Sequence, residues 1–314
     1  MAVLNTVLRT PDDRFIDLPD YPFQPHYQNI PDEQLGPLRM HFVDEGPSNA
    51  PIALMLHGEP TWSFLYRKMV PLVAAGGYRA IAPDFIGFGR SDKPTSRADY
   101  TYQSFVDWLR IFIELQDLRR ITLVCQDWGG PIGLRVLSEM PDRFDAVVAA
   151  NTLLPTCEAP PLGVDGWPGE IISNWVAACR SSSDLPISEI VAGVCIERPT
   201  ADVLRAYDAP FPDASYKSGA LQITCCIPIA PDMPGVIENK TAWNVVEKFA
   251  KPFLTAFSDR DPSTKQWESV FRSRVRGAAG QPKLEIAGAG HFLQEEQGPA
   301  LAKTLLSLMD RIYR

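Results

Sequence analysis

The chain reads as an α/β protein, a mostly parallel, doubly wound sheet carrying an inserted helical cap, and three features of the sequence predict this. Between residues 37 and 150, strand-like apolar runs and helical spacings alternate at least four times. After Thr152 the composition changes: from Pro155 to about Met233 the chain is rich in proline, holds aromatic residues and helical pieces, and lacks a clear parallel-sheet strand. The strand and helix rhythm resumes at Phe253. Such alternation with short crossovers is the pattern of an open sheet covered by helices on both faces. The expected division is a core of 1–154 and 234–314 and a helical cap domain of 155–233, lying over the carboxyl ends of the strands.

The first strand-like runs are Leu38 to Asp44 and Ile52 to Leu56. The second is almost wholly apolar, as a central strand must be, and feeds at once into His57-Gly58-Glu59-Pro60, a turn fit for a functional loop. Phe64 to Ala75 has helical apolar spacing, Tyr78 to Ala82 reads as a strand, and Pro83 to Asp92 as a loop. Tyr100 to Leu115 repeats apolar residues three and four apart, the mark of an amphipathic helix. Ile121 to Cys125 is a buried strand, Gln126-Asp127-Trp128-Gly129-Gly130 a sharp turn, and Pro131 to Met140 a helix. Phe144 to Ala150 adds a strand. Beyond the cap come the strand Phe253 to Phe257 with the loop Ser258-Asp259-Arg260-Asp261-Pro262, and the strand Lys283 to Ala287, which delivers Gly288-Ala289-Gly290-His291. Leu301 to Ile312 closes the chain as an amphipathic helix. No internal repeat, coiled coil or low-complexity tract interrupts this order.

Bulk properties narrow the function. The 314 residues are 45% hydrophobic, ample for a buried core, and carry a formal net charge of −8. That balance argues against a nucleic-acid partner. Six cysteines have no zinc-ligand spacing and sit mostly in apolar surroundings, so they read as reduced residues of a cytoplasmic protein. Nothing reaches the roughly 18 consecutive apolar residues of a spanning helix, and the first residues lack a Sec-type pattern, so no membrane partner is expected. The four histidines are scattered without a nearby acidic pair at ligand spacing, which gives no support to a metal site.

The chemistry concentrates around residue 127. A buried strand, one reactive residue at the tip, a glycine two positions on and a helix make a nucleophile elbow. A serine hydrolase would carry Ser at this tip, but here it is Asp127. A carboxylate can displace a leaving group from carbon and form an alkyl ester, which water then hydrolyses to regenerate the acid. The water needs a base, and His291, in a loop after the last strand, is the candidate. Asp261 would orient it, keeping the order nucleophile, acid, histidine; Asp259 in the same loop is the alternative. The plainer reading of Asp127 is a helix cap, and that of His291 a polar loop residue. The backbone N–H groups of Glu59 and Trp128 are placed to converge on the oxyanion of ester hydrolysis, while His57 reads as a prop of its loop. The Glu59 carboxyl is expected to lie near Asp127, protonated or hydrogen-bonded.

With these residues in view the chain resembles the haloalkane dehalogenases, and within them the subfamily with two halide-binding tryptophans. The resemblance runs from about Leu8 to Leu308 and is sharpest at His57-Gly58-Glu59-Pro60-Thr61-Trp62-Ser63, Asp84-Phe85-Ile86-Gly87-Phe88-Gly89-Arg90-Ser91-Asp92-Lys93-Pro94, Gln126-Asp127-Trp128-Gly129 and Tyr207-Asp208-Ala209-Pro210-Phe211-Pro212-Asp213. It implies the α/β-hydrolase fold and hydrolytic cleavage of a carbon–halogen bond through an alkyl ester on Asp127. It further implies Asp261 as acid, His291 as base, Glu59 and Trp128 as backbone donors, and the indoles of Trp128 and Trp175 as halide donors, with Trp167 the substitute if the cap register shifts. Uncharged N–H donors suit a leaving halide, because they stabilise its growing charge in a dry pocket. Ser258 stands where a glycine-like residue is common, and no role falls to Cys225 and Cys226. The partners implied are a small halogenated alkane and water, with halide as product, no cofactor, and a monomer or weak dimer.

Epoxide hydrolysis is the rival reading, because it shares the aspartate nucleophile, the histidine and the loop after the central strand. It would need cap tyrosines, Tyr207 and Tyr216, to protonate the departing oxygen. A binding protein that had lost catalysis should lack one of the charged residues, and none is missing. The mechanism expects Asp127 ionised and His291 neutral in the hydrolytic step, hence activity at neutral to alkaline pH.

Overall fold

The computed structural model describes residues 6–159 and 162–314. Among these the strands are β1 (Val7–Leu8), β2 (His26–Ile30), β3 (Leu38–Glu45), β4 (Ile52–Leu56), β5 (Arg79–Pro83), β6 (Lys93–Pro94), β7 (Ile121–Asp127), β8 (Phe144–Thr152), β9 (Phe253–Ser258) and β10 (Leu284–Ile286). Eight of them form one sheet in the order β10-β9-β8-β7-β4-β5-β3-β2, while β1 and β6 pair separately. From β10 to β5 every neighbour is parallel; β3 and β2 extend that edge antiparallel. The α/β-hydrolase architecture read from the sequence is therefore present.

The central strands are central because of what they are made of. All five residues of β4 and the first six of β7 are buried, so neither strand presents a face to water. Removing one such Val or Leu side chain from water is worth roughly 1.5–3 kcal/mol, which fixes both strands inside the layer. β2 is different: His26-Tyr27-Gln28-Asn29-Ile30 is mostly half-exposed, and only Ile30 is fully covered. It survives as an edge strand because β3 supplies its backbone partners.

The helices are α1 (Val70–Ala75), α2 (Tyr102–Leu115), α3 (Gly129–Glu139), α4 (Gly169–Ser181), α5 (Ile187–Val194), α6 (Ala201–Asp208), α7 (Ser218–Cys225), α8 (Val236–Val246), α9 (Trp267–Arg274) and α10 (Leu293–Tyr313). α1 packs on α10; α2, α3 and α8 pack in series, and Trp243 of α8 stacks on Phe271 of α9 at 5.7 Å. α2 begins with a reciprocal cap in which Thr101 and Ser104 satisfy each other's backbone N–H groups. Two expectations are corrected in detail. The helix over Phe64 to Ala75 is a 3-10 turn, Ser63–Tyr66, followed by the short α1, which carries Pro71 in its first turn. The last helix starts at Leu293 rather than Leu301, with a kink at Gln297 just ahead of Pro299, whose missing N–H cannot continue the ladder.

Helices α4 to α7 all fall between β8 and α8 and are tied to the sheet by long-range contacts. Trp62 donates its indole N–H to the Ala206 carbonyl at 3.2 Å. The backbone N–H of His291 donates to the Val194 carbonyl at 3.0 Å. Tyr207 donates to Glu295, which is also held by the buried Arg67 through two bonds of 2.6 and 2.7 Å. The last of α5 and the middle of α6 are thereby fixed to the loop and helix that follow β10.

Candidate active site

Asp127 is the last residue of β7, with a positive φ of 49°, a left-handed conformation that few side chains other than glycine adopt. The sharp reversal lets α3 start within two residues, and it requires small neighbours. A Cβ on Gly129 would run into the Leu56 carbonyl, one on Gly130 into the Thr152 hydroxyl, and one on Gly58 into the Asp127 carboxylate itself. The Thr152 hydroxyl donates to the Asp127 carbonyl at 2.7 Å and pins the turn.

The two carboxylate oxygens have different surroundings. Oδ1 accepts the backbone N–H of Glu59 at 2.8 Å, and Oδ2 lies 3.3 Å from His291 Nε2. On the other side of the ring, Nδ1 is 3.0 Å from Asp261 Oδ1. Asp261 is itself held by the N–H and hydroxyl of Ser263 at 3.0 and 2.9 Å and by the N–H and hydroxyl of Thr264. The structure thus brings Asp127, His291 and Asp261 into one hydrogen-bonded line. Asp259 takes no part; its carboxylate accepts the Ala289 N–H at 3.2 Å.

Electrostatics follow from this line. Burial penalises the imidazolium, but the carboxylates of Asp261 and Asp127 outweigh it and hold the His291 pKa up at about 10. Burial would raise the Asp261 pKa, yet the imidazole and the Thr264 and Ser263 donors bring it well below the ordinary carboxylate value. Glu59 moves the other way: burial first, then the charge of Asp127, push its carboxyl well above the usual range. The Glu59 side chain accepts the Trp175 indole N–H on Oε2 at 3.3 Å, while its other oxygen has no protein partner among the described residues. His57 is a prop: Nδ1 donates to the Gly58 carbonyl at 2.9 Å, Nε2 accepts the Phe85 N–H at 3.0 Å, and burial lowers its pKa.

A cavity of about 560 Å³ opens onto Asp127, Glu59 and His291, with Ile172, Trp175 and Val194 among its walls. Trp128 follows Asp127, is 4% exposed and packs edge-on against Tyr102 at 5.2 Å; among the described residues its indole N–H has no protein partner. Trp167, the substitute for Trp175, is engaged elsewhere, donating to the Pro228 carbonyl at 2.9 Å. Trp175 lines this cavity, whereas Trp128, Tyr207 and Tyr216 are not among its lining residues. Tyr207 is fully buried and its hydroxyl is spent on Glu295.

A family model described as the alpha/beta hydrolase fold matches residues 51–176, the segment that holds the central strands and the elbow. A haloalkane dehalogenase of Psychrobacter cryohalolentis is 46% identical over 303 residues, 96% of this chain and 98% of that protein. The chain belongs to the haloalkane dehalogenases. Haloalkane dehalogenase 1 of Mycobacterium tuberculosis matches at 46% identity over 96% of this chain and 98% of its own length. Among solved structures, the tetrameric haloalkane dehalogenase of Paraglaciecola agarilytica superposes with a TM-score of 0.86 at 35% identity, covering 95% of this chain and 97% of that one. The family consists of hydrolases acting on carbon–halide bonds, so the chain is an enzyme of that class.

Two residues that the sequence reading passed over stand behind the line. Asn151, at the end of β8 with a φ of 40°, places its amide nitrogen 2.8 Å from Ser258 Oγ and 2.9 Å from the His291 carbonyl, and accepts the Ser258 N–H at 2.9 Å. Gln126 reaches His291 from β7. The available signal was a single amide near the end of each otherwise apolar strand: an uncharged polar group there must find a partner, and the nearest are the loops that carry the acid and the base.

Proposed function

We propose that Asp127, His291 and Asp261 hydrolyse a carbon–halogen bond through an alkyl ester on Asp127, and that 155–233 is a cap domain that closes the cavity over them. One observation carries this: a carboxylate at a turn tip, held by one backbone N–H on Oδ1 and facing a histidine–aspartate pair on Oδ2, opens into a largely apolar cavity. Oδ2 attacks the halogen-bearing carbon; the carbon–halogen bond breaks and the halide leaves with the bonding pair. The indole N–H groups of Trp128 and Trp175 are the donors this reading assigns to it, as in the subfamily with two halide-binding tryptophans; the place of Trp175 on the cavity wall and the unpartnered indole N–H of Trp128 among the described residues support it. The Trp175 N–H then exchanges Glu59 for halide, a change made easier because a neutral Glu59 carboxyl does not repel the anion.

In the second half, His291 takes a proton from water through Nε2, and the resulting hydroxide attacks Cγ of the ester. Charge gathers on Oδ1, where the N–H of Glu59 already points and that of Trp128 is the second donor. The tetrahedral intermediate collapses by breaking the bond between Cγ and Oδ2; the alcohol departs with Oδ2 and takes the proton from His291. The attacking oxygen stays on Asp127, whose new carboxyl gives its proton to the neutral His291, so the carboxylate is restored beside an imidazolium that later releases the proton to solvent. The residues supply nucleophile, base and charge stabilisation, so the scheme calls on no cofactor. The Tyr207 hydroxyl is engaged by Glu295, which favours halide over epoxide as the leaving group.

Six free cysteines support a reducing, cytoplasmic setting. Among the described residues the large exposed apolar side chains, Ile16, Leu72, Leu115, Ile171, Ile196 and Ile237, lie on six separate segments, which supports a monomer. The testing experiment is bromide release from 1,2-dibromoethane and 1-bromobutane beside styrene oxide turnover, on the wild type and His291→Ala. The reading expects bromide and no diol from the wild type. From His291→Ala it expects one bromide per chain with the alkyl group left on the protein. Diol without bromide would contradict it.

A further inference from the structure

We infer that Gln126 is a positioning residue that turns His291 into its base form once Asp127 has been alkylated; the inference rests on the roles proposed above. Gln126 is fully buried on β7, one residue before Asp127, and its amide nitrogen lies 3.1 Å from His291 Nε2 and 3.1 Å from the His291 backbone carbonyl. The carbonyl decides which end of the amide faces the ring. A carbonyl oxygen can only accept, so it must meet the NH2 end; the reverse orientation would set two oxygens against each other at that distance. Gln126 Oε1 is left buried with no protein partner among the described residues. The ring nitrogen beside the NH2 end is therefore offered a donor, and only a neutral imidazole, with its proton on Nδ1 toward Asp261, can accept one.

Two neighbours make opposite demands on Nε2. The Asp127 carboxylate, 3.3 Å away, wants a proton there; the Gln126 amide wants a lone pair. The other charged group against the ring, Asp261, acts on Nδ1 in both states, and Glu59 behind Asp127 is held neutral by its burial. A charge-assisted contact is roughly twice as strong as a neutral one, so before reaction the carboxylate prevails and the ring is an imidazolium. Alkylation converts Asp127 into a neutral ester and cancels that demand. The amide is then unopposed at Nε2, the ring gives its Nε2 proton to solvent in the cavity, and the freed lone pair takes a proton from the attacking water. His291 is held charged while Asp127 is a carboxylate and becomes a base only when there is an ester to hydrolyse.

The test is the pH profile of a single turnover with 1-bromobutane, following the bromide burst and the decay of alkyl-enzyme separately, in the wild type, Gln126→Met and Gln126→Leu. Removing one neutral donor from the ring raises the apparent pKa of the decay step by about one unit, with the burst retained. Decay that is slowed equally at every pH, with its midpoint unmoved, would show a merely structural role and overturn the inference. Absence of a burst in the wild type would instead overturn the nucleophile reading beneath it. A nitrogen-15 titration of the histidines in Asp127→Asn, which removes the charge as alkylation does, needs no change at Gln126. A neutral His291 with a bare Nε2 at neutral pH supports the inference, and an imidazolium there overturns it.

Discussion

Replacing Asp261 with Asn would separate the two halves of the reaction. The wild-type carboxylate is completely buried as a side chain, 3.0 Å from His291 Nδ1, and four donors from Ser263 and Thr264 hold it in place. Asn keeps the shape but loses the charge, and its amide can turn an N–H toward Nδ1. The ring would then carry its proton on Nε2, where it faces Asp127, and have no lone pair for water. A hydrogen bond to a charged group is worth about 1.5–3 kcal/mol, roughly a factor of 10 to 150 in rate. Loss of general-base action by tautomer choice extends that toward about 10⁴. The displacement step uses only Asp127 and the halide donors, so it stays within a few-fold of wild type. Rapid quench with mass spectrometry on the intact chain should show a full bromide burst, a stable alkyl adduct and turnover slowed at least ten-fold. Steady-state turnover within a few-fold of wild type would refute the reasoning, as would loss of the burst together with turnover.

Trp175→Phe keeps the ring and removes the indole N–H; by analogy with loss of one oxyanion donor it slows displacement about 10²-fold, and bromide quenching of tryptophan fluorescence should report weaker halide binding. Gly58→Ala puts a methyl group where the Asp127 carboxylate stands, so the burst should disappear, while Gly36→Ala, whose Cβ would meet nothing within 4 Å, should keep it; equal bursts would contradict the packing argument. Stability should also depend on pH through His291. Its pKa is about 10 when folded against 6.5 for the free ring, so its contribution is complete below about 6.5 and lost as pH rises through 10. At one unit per 1.36 kcal/mol that is at most about 5 kcal/mol, and less once Asp127 and solvent relax. Urea midpoints for the wild type should fall across this window, and those of His291→Ala should fall less.

Much of the architecture was legible because burial leaves a compositional mark. β4, β7, β8 and β9 are apolar runs that end in glycine-, proline- or aspartate-bearing loops, and each lies where the sequence places it. β2 was not legible: its polar, half-exposed residues carry no strand signal, and it exists through its partner β3. The first two turns of α10 were hidden because Gly298 and Pro299 read as a break, whereas the helix absorbs them in a kink at Gln297. In the site, charge and spacing marked Asp127, Asp261 and His291, and the structure sets them in one line. It sets Asp261 rather than Asp259 against the imidazole, and turns the Trp175 indole to Glu59 and that of Trp167 to the Pro228 carbonyl, placements that depend on loop and helix register. Gln126 and Asn151 were missed because an amide has no chemistry of its own; its meaning lies in what the fold sets beside it.

The most direct test of the ester mechanism is a single turnover of 1-bromobutane by excess enzyme in heavy-oxygen water. If water attacks Cγ of an ester on Asp127, the first alcohol released carries ordinary oxygen from the carboxylate, and the heavy atom appears in the peptide that contains Asp127. Heavy oxygen in that first alcohol, with none in the peptide, would mean that water displaces the halide directly and that Asp127 is not the nucleophile.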